Sequence, residues 1–258
     1  SRVPAPSELS CADPEDPCRL PNAFVADPPL EQVVARTIEG GMRGLAPRDV
    51  RWNASFFDTR SSDDIIFISS GALTNQGHFE NVGDTARRGV ELAASGRVQG
   101  WMDWAASYTF LRATFESPLT LSSPNHPDAV DGEIAVTRGR TIPGVPRHQF
   151  RTEVGATFDR IALNGSLVSA SSQFLRGDES NRLEPLDGFA VVNLTGRATL
   201  TPKVALLARV VNLFDANYST FGLLGEADDV LGDEFEEPEF FSPGAPRAAW
   251  VGLQVTLP

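Results

Sequence analysis

The densest group of side chains able to do chemistry is an acidic run near the end of the chain. Residues 226–237 read EADDVLGDEFEE, in which Asp228, Asp229, Asp233 and Glu234 are candidate ligands. Hard cations such as calcium prefer clustered carboxylate oxygens, so this loop could bind a cation. A solvated loop gives the same pattern, because runs of like charge repel one another and stay hydrated. Both interpretations remain open, with the solvated loop as the default.

The two cysteines, Cys11 and Cys18, lie close together among Asp and Pro residues. Their spacing predicts a small disulfide-closed loop, which would imply an oxidising compartment; a pair of free thiols is the alternative. The three histidines, His78, His126 and His148, are isolated, and none has the spacing of a zinc ligand. We therefore expect no metal centre built from histidine or cysteine, and no cofactor.

The remaining composition argues against catalysis and against nucleic-acid binding. The sequence contains no nucleophile elbow, no phosphate-binding glycine loop and no metal-ligand cluster. A net charge of -12, with no basic patch interleaved with aromatic residues, disfavours a nucleic-acid partner. We therefore expect a binding or transport protein that is not an enzyme.

A second set of charged residues alternates with apolar ones. In residues 85–98, Arg87, Glu91 and Arg97 share one parity, while Val90 and Leu92 share the other. A side-chain period of two is that of a β-strand with one polar and one apolar face. The same alternation places three more charged side chains on the polar faces of later strands: Arg151, Glu153 and Arg197.

The strands that carry these residues are long. The stretch Phe79–Phe115 predicts two strands of about 15 residues each around a turn at Gln99 and Gly100, well beyond the usual globular strand. A tilted strand needs only about 9–11 residues to cross a bilayer. Another long strand is predicted from Val50 through a bulge at Ser61 and Ser62 to Ile68. No run of 18 apolar residues is present, so a transmembrane helix is excluded.

The connections between about nine predicted strands alternate strictly in length. The tight ones lie at residues 45–48, 99–100, 159–160 and 201–202. The long ones lie at residues 70–78, 117–144, 176–186 and 214–246. This alternation is typical of an antiparallel up-and-down transmembrane β-barrel whose two rims face different compartments. Bacterial single-chain barrels have an even number of strands, so the chain is expected to be part of a larger barrel.

Several short motifs follow one another along these strands. They are EGGMR at residues 39–43, DDI at 63–65, NVGDTARRGVEL at 81–92, IPGVPR at 142–147, VNLFDANY at 211–218 and PR at 246–247. In this order they make the chain resemble the C-terminal part of the barrel of TonB-dependent outer-membrane receptors. Each motif is short, but together they cover nearly all of the chain after residue 30.

The resemblance implies an all-β fold, the C-terminal portion of a 22-stranded barrel with a plug domain in its lumen. Residues 1–30, with the Cys11–Cys18 loop, would form an extracellular loop, and residues 31–258 the barrel strands and loops. No plug and no energy-coupling box is recognisable in the sequence. Receptors of this family usually finish on an aromatic residue, whereas this chain finishes on Pro258.

The function that the resemblance implies is energy-coupled uptake of a scarce nutrient across the bacterial outer membrane. A ferric siderophore is the first candidate by family frequency, and cobalamin or an oligosaccharide are alternatives. The partners would be outer-membrane lipid, the plug and the remaining strands, and the TonB complex. The polar-face residues would line the lumen, either in salt bridges with the plug or as a hydrated wall.

Two rival interpretations stay open at this stage. A plug-free passive porin would show a complete, even set of strands around an open lumen. A soluble β-sandwich would pack Val90, Leu92, Met102 and Trp104 into a core between two sheets. For the motif residues we expect structural roles: Gly89 relieves crowding or allows the sheet to coil, and Asn212 and Asp215 bond local backbone groups.

Overall fold

The computed structural model describes residue 3 and residues 18–19, 30–47, 49–69, 76–226 and 237–256. Nine strands form one antiparallel sheet whose neighbours follow the order of the chain. They are β2 (Val34–Ala46), β3 (Val50–Ser62), β6 (Thr85–Val98), β7 (Met102–Phe115), β10 (His148–Phe158), β11 (Ile161–Ala170), β12 (Phe189–Thr201), β13 (Val204–Val211) and β16 (Ala248–Val255). No helix in the described part of the chain has the length and apolar character needed to span a membrane.

The remaining strands form small sheets in the long connections. They are β1 (Cys18–Arg19), β4 (Ile65–Ser69), β5 (Gln76–Asn81), β8 (Leu119–Ser122), β9 (Glu133–Val136), β14 (Ser219–Leu224) and β15 (Glu239–Pro243). Four pairs of neighbours in the large sheet, β2–β3, β6–β7, β10–β11 and β12–β13, are joined by only two or three residues. In one of these turns Gln99 and Gly100 both have positive φ angles, 51° and 78°, a left-handed geometry that reverses a chain within a short loop. The predicted alternation of tight and long connections is confirmed.

The register places the apolar side chains beside one another on one face of the large sheet. Val90 lies opposite Phe110 and Leu92 opposite Tyr108, and Phe150 of the next strand lies opposite Tyr108. This face is not buried: Leu92 is 42% exposed and Val251 of the last strand 75%. Leaving a side chain of this size in water costs about 1.5–3 kcal/mol. The face is therefore suited to lipid.

This exposure contradicts the β-sandwich interpretation. Val90 and Leu92, which a sandwich would bury between two sheets, are both exposed. The buried apolar cluster of the described residues lies instead where β7 meets the long connections. It consists of Ile68, Val82, Ala113, Phe115, Leu121, Ile134, Val136 and Ile142.

Two of the predicted strand boundaries are wrong. The second long strand does not continue to Ile68, because β3 ends at Ser62 and β4 pairs with β5 outside the large sheet. The strand expected from Phe79 is likewise divided between β5 and β6. At the first division Asp63 has a positive φ of 54°, and the backbone N–H of Asp64 donates to the carbonyl of Gly83 at 3.0 Å. These tertiary contacts turn the chain where its apolar pattern alone would continue the strand.

The segments expected to be irregular are also more ordered than predicted. Residues 117–144 contain the β8–β9 hairpin, and the described part of 214–246 contains the β14–β15 hairpin. Leu121 and Val136 of the first hairpin are each only 1% exposed. The long connections therefore form a packed layer at the end of the sheet where they meet.

Candidate functional site

The polar face of the large sheet is one candidate functional surface. The register brings the six predicted polar-face residues to the side opposite the apolar face: Arg87, Glu91, Arg97, Arg151, Glu153 and Arg197. They occupy β6, β10 and β12 and do not converge on one point. The surface can therefore bind along its length, and it lacks the convergent geometry of a catalytic centre.

The six residues differ in what they contact. Arg151 and Glu153 form an exposed ion pair with an N–O distance of 2.9 Å. Arg197 donates a hydrogen bond to Gln254 of β16. Glu91 lies between Ser55 and Thr109 of the neighbouring strands, and Arg97 lies opposite Asp103.

Arg87 has a structural contact at one end of the sheet. Its Nη1 donates to Asp64 Oδ2 at 2.8 Å and to Thr85 Oγ1 at 3.0 Å, and the Thr85 hydroxyl donates to the same carboxylate oxygen at 2.6 Å. Asp64 is 7% exposed. This network fixes the start of β6 against the turn after β3, so Arg87 contributes to positioning that turn.

A depression in the polar face lies between these charged side chains. Its floor is made of four small residues on two adjacent strands: Ala93, Ser95, Ala105 and Ser107. Ser95 lies opposite Ala105, and Ala93 opposite Ser107. The cavity has a volume of about 870 Å³. The depression was not predicted from the sequence. The feature that could have indicated it is the run of small residues at the odd-numbered, polar-face positions of β6 and β7.

Charged residues border this depression on both sides. Arg51 of β3 lies opposite Ser95, and Glu153 and Arg151 of β10 lie opposite Ala105 and Ser107. A low floor between opposite charges can accept a protruding polypeptide segment or a polar solute, because long side chains at the border can form ion pairs with it.

The long connections form a second candidate surface, held together by a buried polar cluster. His126 Nε2 lies 3.1 Å from Asp178 Oδ1, and the Ser180 hydroxyl donates to the same oxygen at 2.9 Å. The backbone N–H groups of Arg182 and Leu183 donate to the Asp178 carboxylate, each at 3.0 Å. His126 and Asp178 are 3% and 0% exposed. The cluster joins two connections that are more than fifty residues apart in sequence.

A buried carboxyl lies next to this cluster. Glu179 is 5% exposed, and its Oε1 accepts a hydrogen bond from the backbone N–H of Gly177 at 3.1 Å. Burial raises the pKa of the Glu179 carboxyl and the nearby charge of Asp178 adds to the rise, while backbone hydrogen bonds and Arg176 oppose it. Folding therefore favours the proton-bound form of Glu179 more than the unfolded chain does.

The VNLFDANY motif forms a third structural cluster. Asn212 is 1% exposed, its Oδ1 accepts from the Ala216 N–H at 2.9 Å, and its Nδ2 donates to the carbonyl groups of Ala216 at 2.9 Å and Ala245 at 3.1 Å. Asp215 accepts a hydrogen bond from the backbone N–H of Arg247 at 3.3 Å. The expectation that the side chain bonds local backbone is confirmed for Asn212, whereas the bond of Asp215 reaches the segment before β16.

Two predicted sites lie outside the described residues. The acidic run with Asp228, Asp229, Asp233 and Glu234 is one of them. The Cys11–Cys18 disulfide is the other, since only the backbone of Cys18 is described, paired with Gly77 of β5. Among the described residues, no group of three or more His, Cys, Asp or Glu side chains could hold a metal ion.

An open antiparallel sheet with an exposed apolar face and a charged opposite face is a segment of transmembrane β-barrel wall. Residues 2–213 match the model of the TonB-dependent receptor-like β-barrel family. The chain therefore belongs to this family, whose members are bacterial outer-membrane receptors and transporters and not enzymes. The predicted fold is confirmed.

Solved structures share this fold at low sequence identity. The siderophore receptor PiuA from Acinetobacter baumannii is 16% identical with a TM-score of 0.61, over 85% of this chain and 28% of that one. The ferric yersiniabactin uptake receptor FyuA from Yersinia pestis is 18% identical with a TM-score of 0.65, over 93% and 32%. The copper transporter OprC is 20% identical with a TM-score of 0.62, over 89% and 32%. The chain spans about a third or less of each.

Proposed function

We propose that this chain forms part of a TonB-dependent receptor that takes up a ferric siderophore across the outer membrane. The observation that carries the proposal is the match to the receptor barrel family over residues 2–213. Two structures with the same fold are described as a siderophore receptor and a ferric yersiniabactin uptake receptor. The proposed partners are lipid, the plug and remaining strands, the TonB complex and the siderophore.

In this proposal the long connections bind the ligand outside the cell, and the polar face lines its path. The packed cluster around His126 and Asp178 supports the first role, because it holds two connections in a defined relative position. The depression between Arg51, Arg151 and Glu153 supports the second, because its small floor leaves room for a plug segment. The mechanism is binding and gated passage, with no covalent step.

Uptake measurements test the substrate. Cells that lack the gene should take up less radiolabelled iron from a ferric siderophore, and the gene restored on a plasmid should recover uptake. Uptake through a receptor of this family should also require TonB. Uptake through a passive porin should not, because a porin needs no energy coupling. Unchanged siderophore uptake with reduced copper uptake would instead assign the cargo described for OprC.

The role of the depression is tested separately. Replacing Ser107 by Trp fills the floor, and we expect uptake to fall at least about tenfold because a plug segment no longer fits. The matched control, Ser107→Ala, keeps the floor low and should leave uptake unchanged. Normal uptake by a folded Ser107→Trp receptor would contradict plug contact at this surface.

A further inference from the structure

A cationic patch interrupts the lipid-facing side of the sheet. It consists of Arg36, Arg60, Arg88 and Arg112, with Asp58 among them. The register places Asp58, Arg88 and Arg112 side by side on three adjacent strands, and Arg36 directly opposite Arg60. All five have the parity of the apolar face. The patch carries a formal charge of +3, although the whole chain carries -12.

The apolar residues fix the height of this patch in the membrane. Phe56, Val90 and Phe110 form the row directly before it. Ten positions of β7 separate Met102 from Arg112. At ~3.3 Å per residue and a tilt of ~40°, this distance corresponds to about 25 Å along the membrane normal, the height of a barrel's apolar band. The arginines therefore lie at the head-group level of one leaflet.

Aromatic side chains at the upper end of the band support this height. Tyr108 Oη lies 2.8 Å from His148 Nδ1, and the rings of Phe110 and His148 are 5.3 Å apart. Rings with a polar tip collect at the boundary between hydrocarbon and head groups. The patch lies near the end of the strands that leads into the long connections. These connections face outward in barrels of this kind.

The described protein only partly balances the charges of the patch, with Asp58 inside it and Glu116, paired with Arg138, near Arg88. Arg36 faces Arg60 and Arg88 faces Arg112 across neighbouring strands, and like charges directly opposite one another are destabilising. Asp58 Oδ2 accepts a hydrogen bond from Arg88 Nε at 3.0 Å, while Arg60 Nε remains 3.8 Å from Asp58 Oδ1. Arg36 and Arg112 have no ion-pair partner among the described residues. The patch therefore carries an excess of positive charge that an anion would offset.

We propose that this patch binds the phosphate groups of phosphorylated lipid A in the outer leaflet. Guanidinium groups form paired hydrogen bonds with phosphate oxygens, and basic clusters at the membrane surface recognise anionic head groups. The apolar row beneath the patch lies against the acyl chains of the same lipid. The patch thus fixes one lipid molecule to the wall formed by β2, β3, β6 and β7.

Lipid titration of the detergent-purified, delipidated receptor that contains this chain tests the proposal. Lipid A carrying its phosphates, the same lipid without them, and inorganic phosphate are the three probes, and native mass spectrometry measures bound lipid. The variant carries Arg88→Gln and Arg112→Gln. The matched control is Arg160→Gln, an exposed arginine in the tight turn at the opposite end of the sheet, 4.0 Å from Asp159.

Wild type and the Arg160→Gln control should bind phosphorylated lipid A equally, and the double variant at least about tenfold more weakly. Lipid without phosphates should bind wild type as weakly as the double variant binds the phosphorylated form. Equal binding of both lipids, an unaffected double variant, or competition by inorganic phosphate at equal concentration would overturn the proposal. If the double variant does not fold, Arg112→Gln alone, which breaks no described ion pair, makes the same test.

Discussion

Gly89 shows how one residue can determine the packing of the barrel wall. A Cβ at this position would lie 2.5 Å from Phe57 Cζ and 2.6 Å from the Phe110 carbonyl oxygen. The Phe57 ring therefore lies over Gly89 on the polar face. The expectation from sequence that this glycine relieves crowding is consistent with these distances.

Replacing Gly89 by Ala should destabilise the folded barrel by about 1–3 kcal/mol, because the backbone oxygen cannot move as freely as a side chain. The measurement is thermal unfolding of the purified receptor in detergent. Gly252→Ala is the control, since a Cβ there has no neighbour within 4 Å. Equal unfolding temperatures for the two variants would contradict the crowding account.

Glu179 predicts a pH dependence of the long connections. Its pKa is raised in the folded state, so the proton-bound form stabilises the fold, and this stability is lost as pH rises through the folded-state pKa. The charges facing it are those of Asp178, which raises the pKa, and Arg176, which lowers it. Glu179→Gln should make the connection more resistant to proteolysis at neutral pH and remove the gain that wild type shows on acidification.

The measurement is the rate of limited proteolysis within residues 171–188 between acid and neutral pH. Glu184→Gln, a change of the same kind in the same connection, is the control and should keep the wild-type pH profile. A Glu179→Gln profile that still follows wild type would show that another group causes the dependence.

At the scale of elements, Asn212 connects the end of β13 to the start of β16. Its three side-chain hydrogen bonds and its positive φ of 48° make Ala a poor replacement. Asn212→Ala should cost about 3 kcal/mol or more, from about 1 kcal/mol per hydrogen bond and further cost in left-handed backbone.

The rate of proteolysis within residues 212–226 and 237–247, between β13 and β16, measures this effect. Asn217→Ala is the control, because Asn217 is exposed and has no described side-chain hydrogen bond. An Asn212→Ala receptor with the protease resistance of wild type would contradict the connecting role.

The sequence predicted most of the large sheet but not the small hairpins, for a physical reason. Period-two alternation reports which face is apolar, and it continues along most of β6 and β7, which are fourteen residues long each. It cannot report where a strand leaves the sheet. Ile65 to Ile68 are apolar residues that could extend a strand, and the positive φ of Asp63 and the bonds of Asp64 divide β3 from β4.

The candidate sites were predicted to the same limited extent. Parity alone placed Arg87, Glu91 and Arg151 on the polar face. The depression required knowledge of register, because its floor exists only where Ser95 meets Ala105 and Ala93 meets Ser107. The His126–Asp178 contact joins residues 52 apart, and no local pattern reports such a pairing.

At the scale of the whole molecule, the described sheet has two free edges, β2 and β16. Unpaired backbone groups at an edge cost several kcal/mol each in hydrocarbon. The open sheet is thus consistent with part of a larger barrel, in which further strands would pair with these edges.

The central claim is that successive side chains of β6 face lipid and the lumen in turn, with even-numbered positions toward lipid and odd-numbered positions toward the lumen. Spin labels at single cysteines from position 90 to 94, in a Cys11→Ser, Cys18→Ser receptor in outer-membrane lipid, test it most directly. Oxygen, which concentrates in hydrocarbon, should collide most often with labels at 90, 92 and 94 and least often with those at 91 and 93. Collision rates without this period of two, or with the opposite phase, would contradict the account.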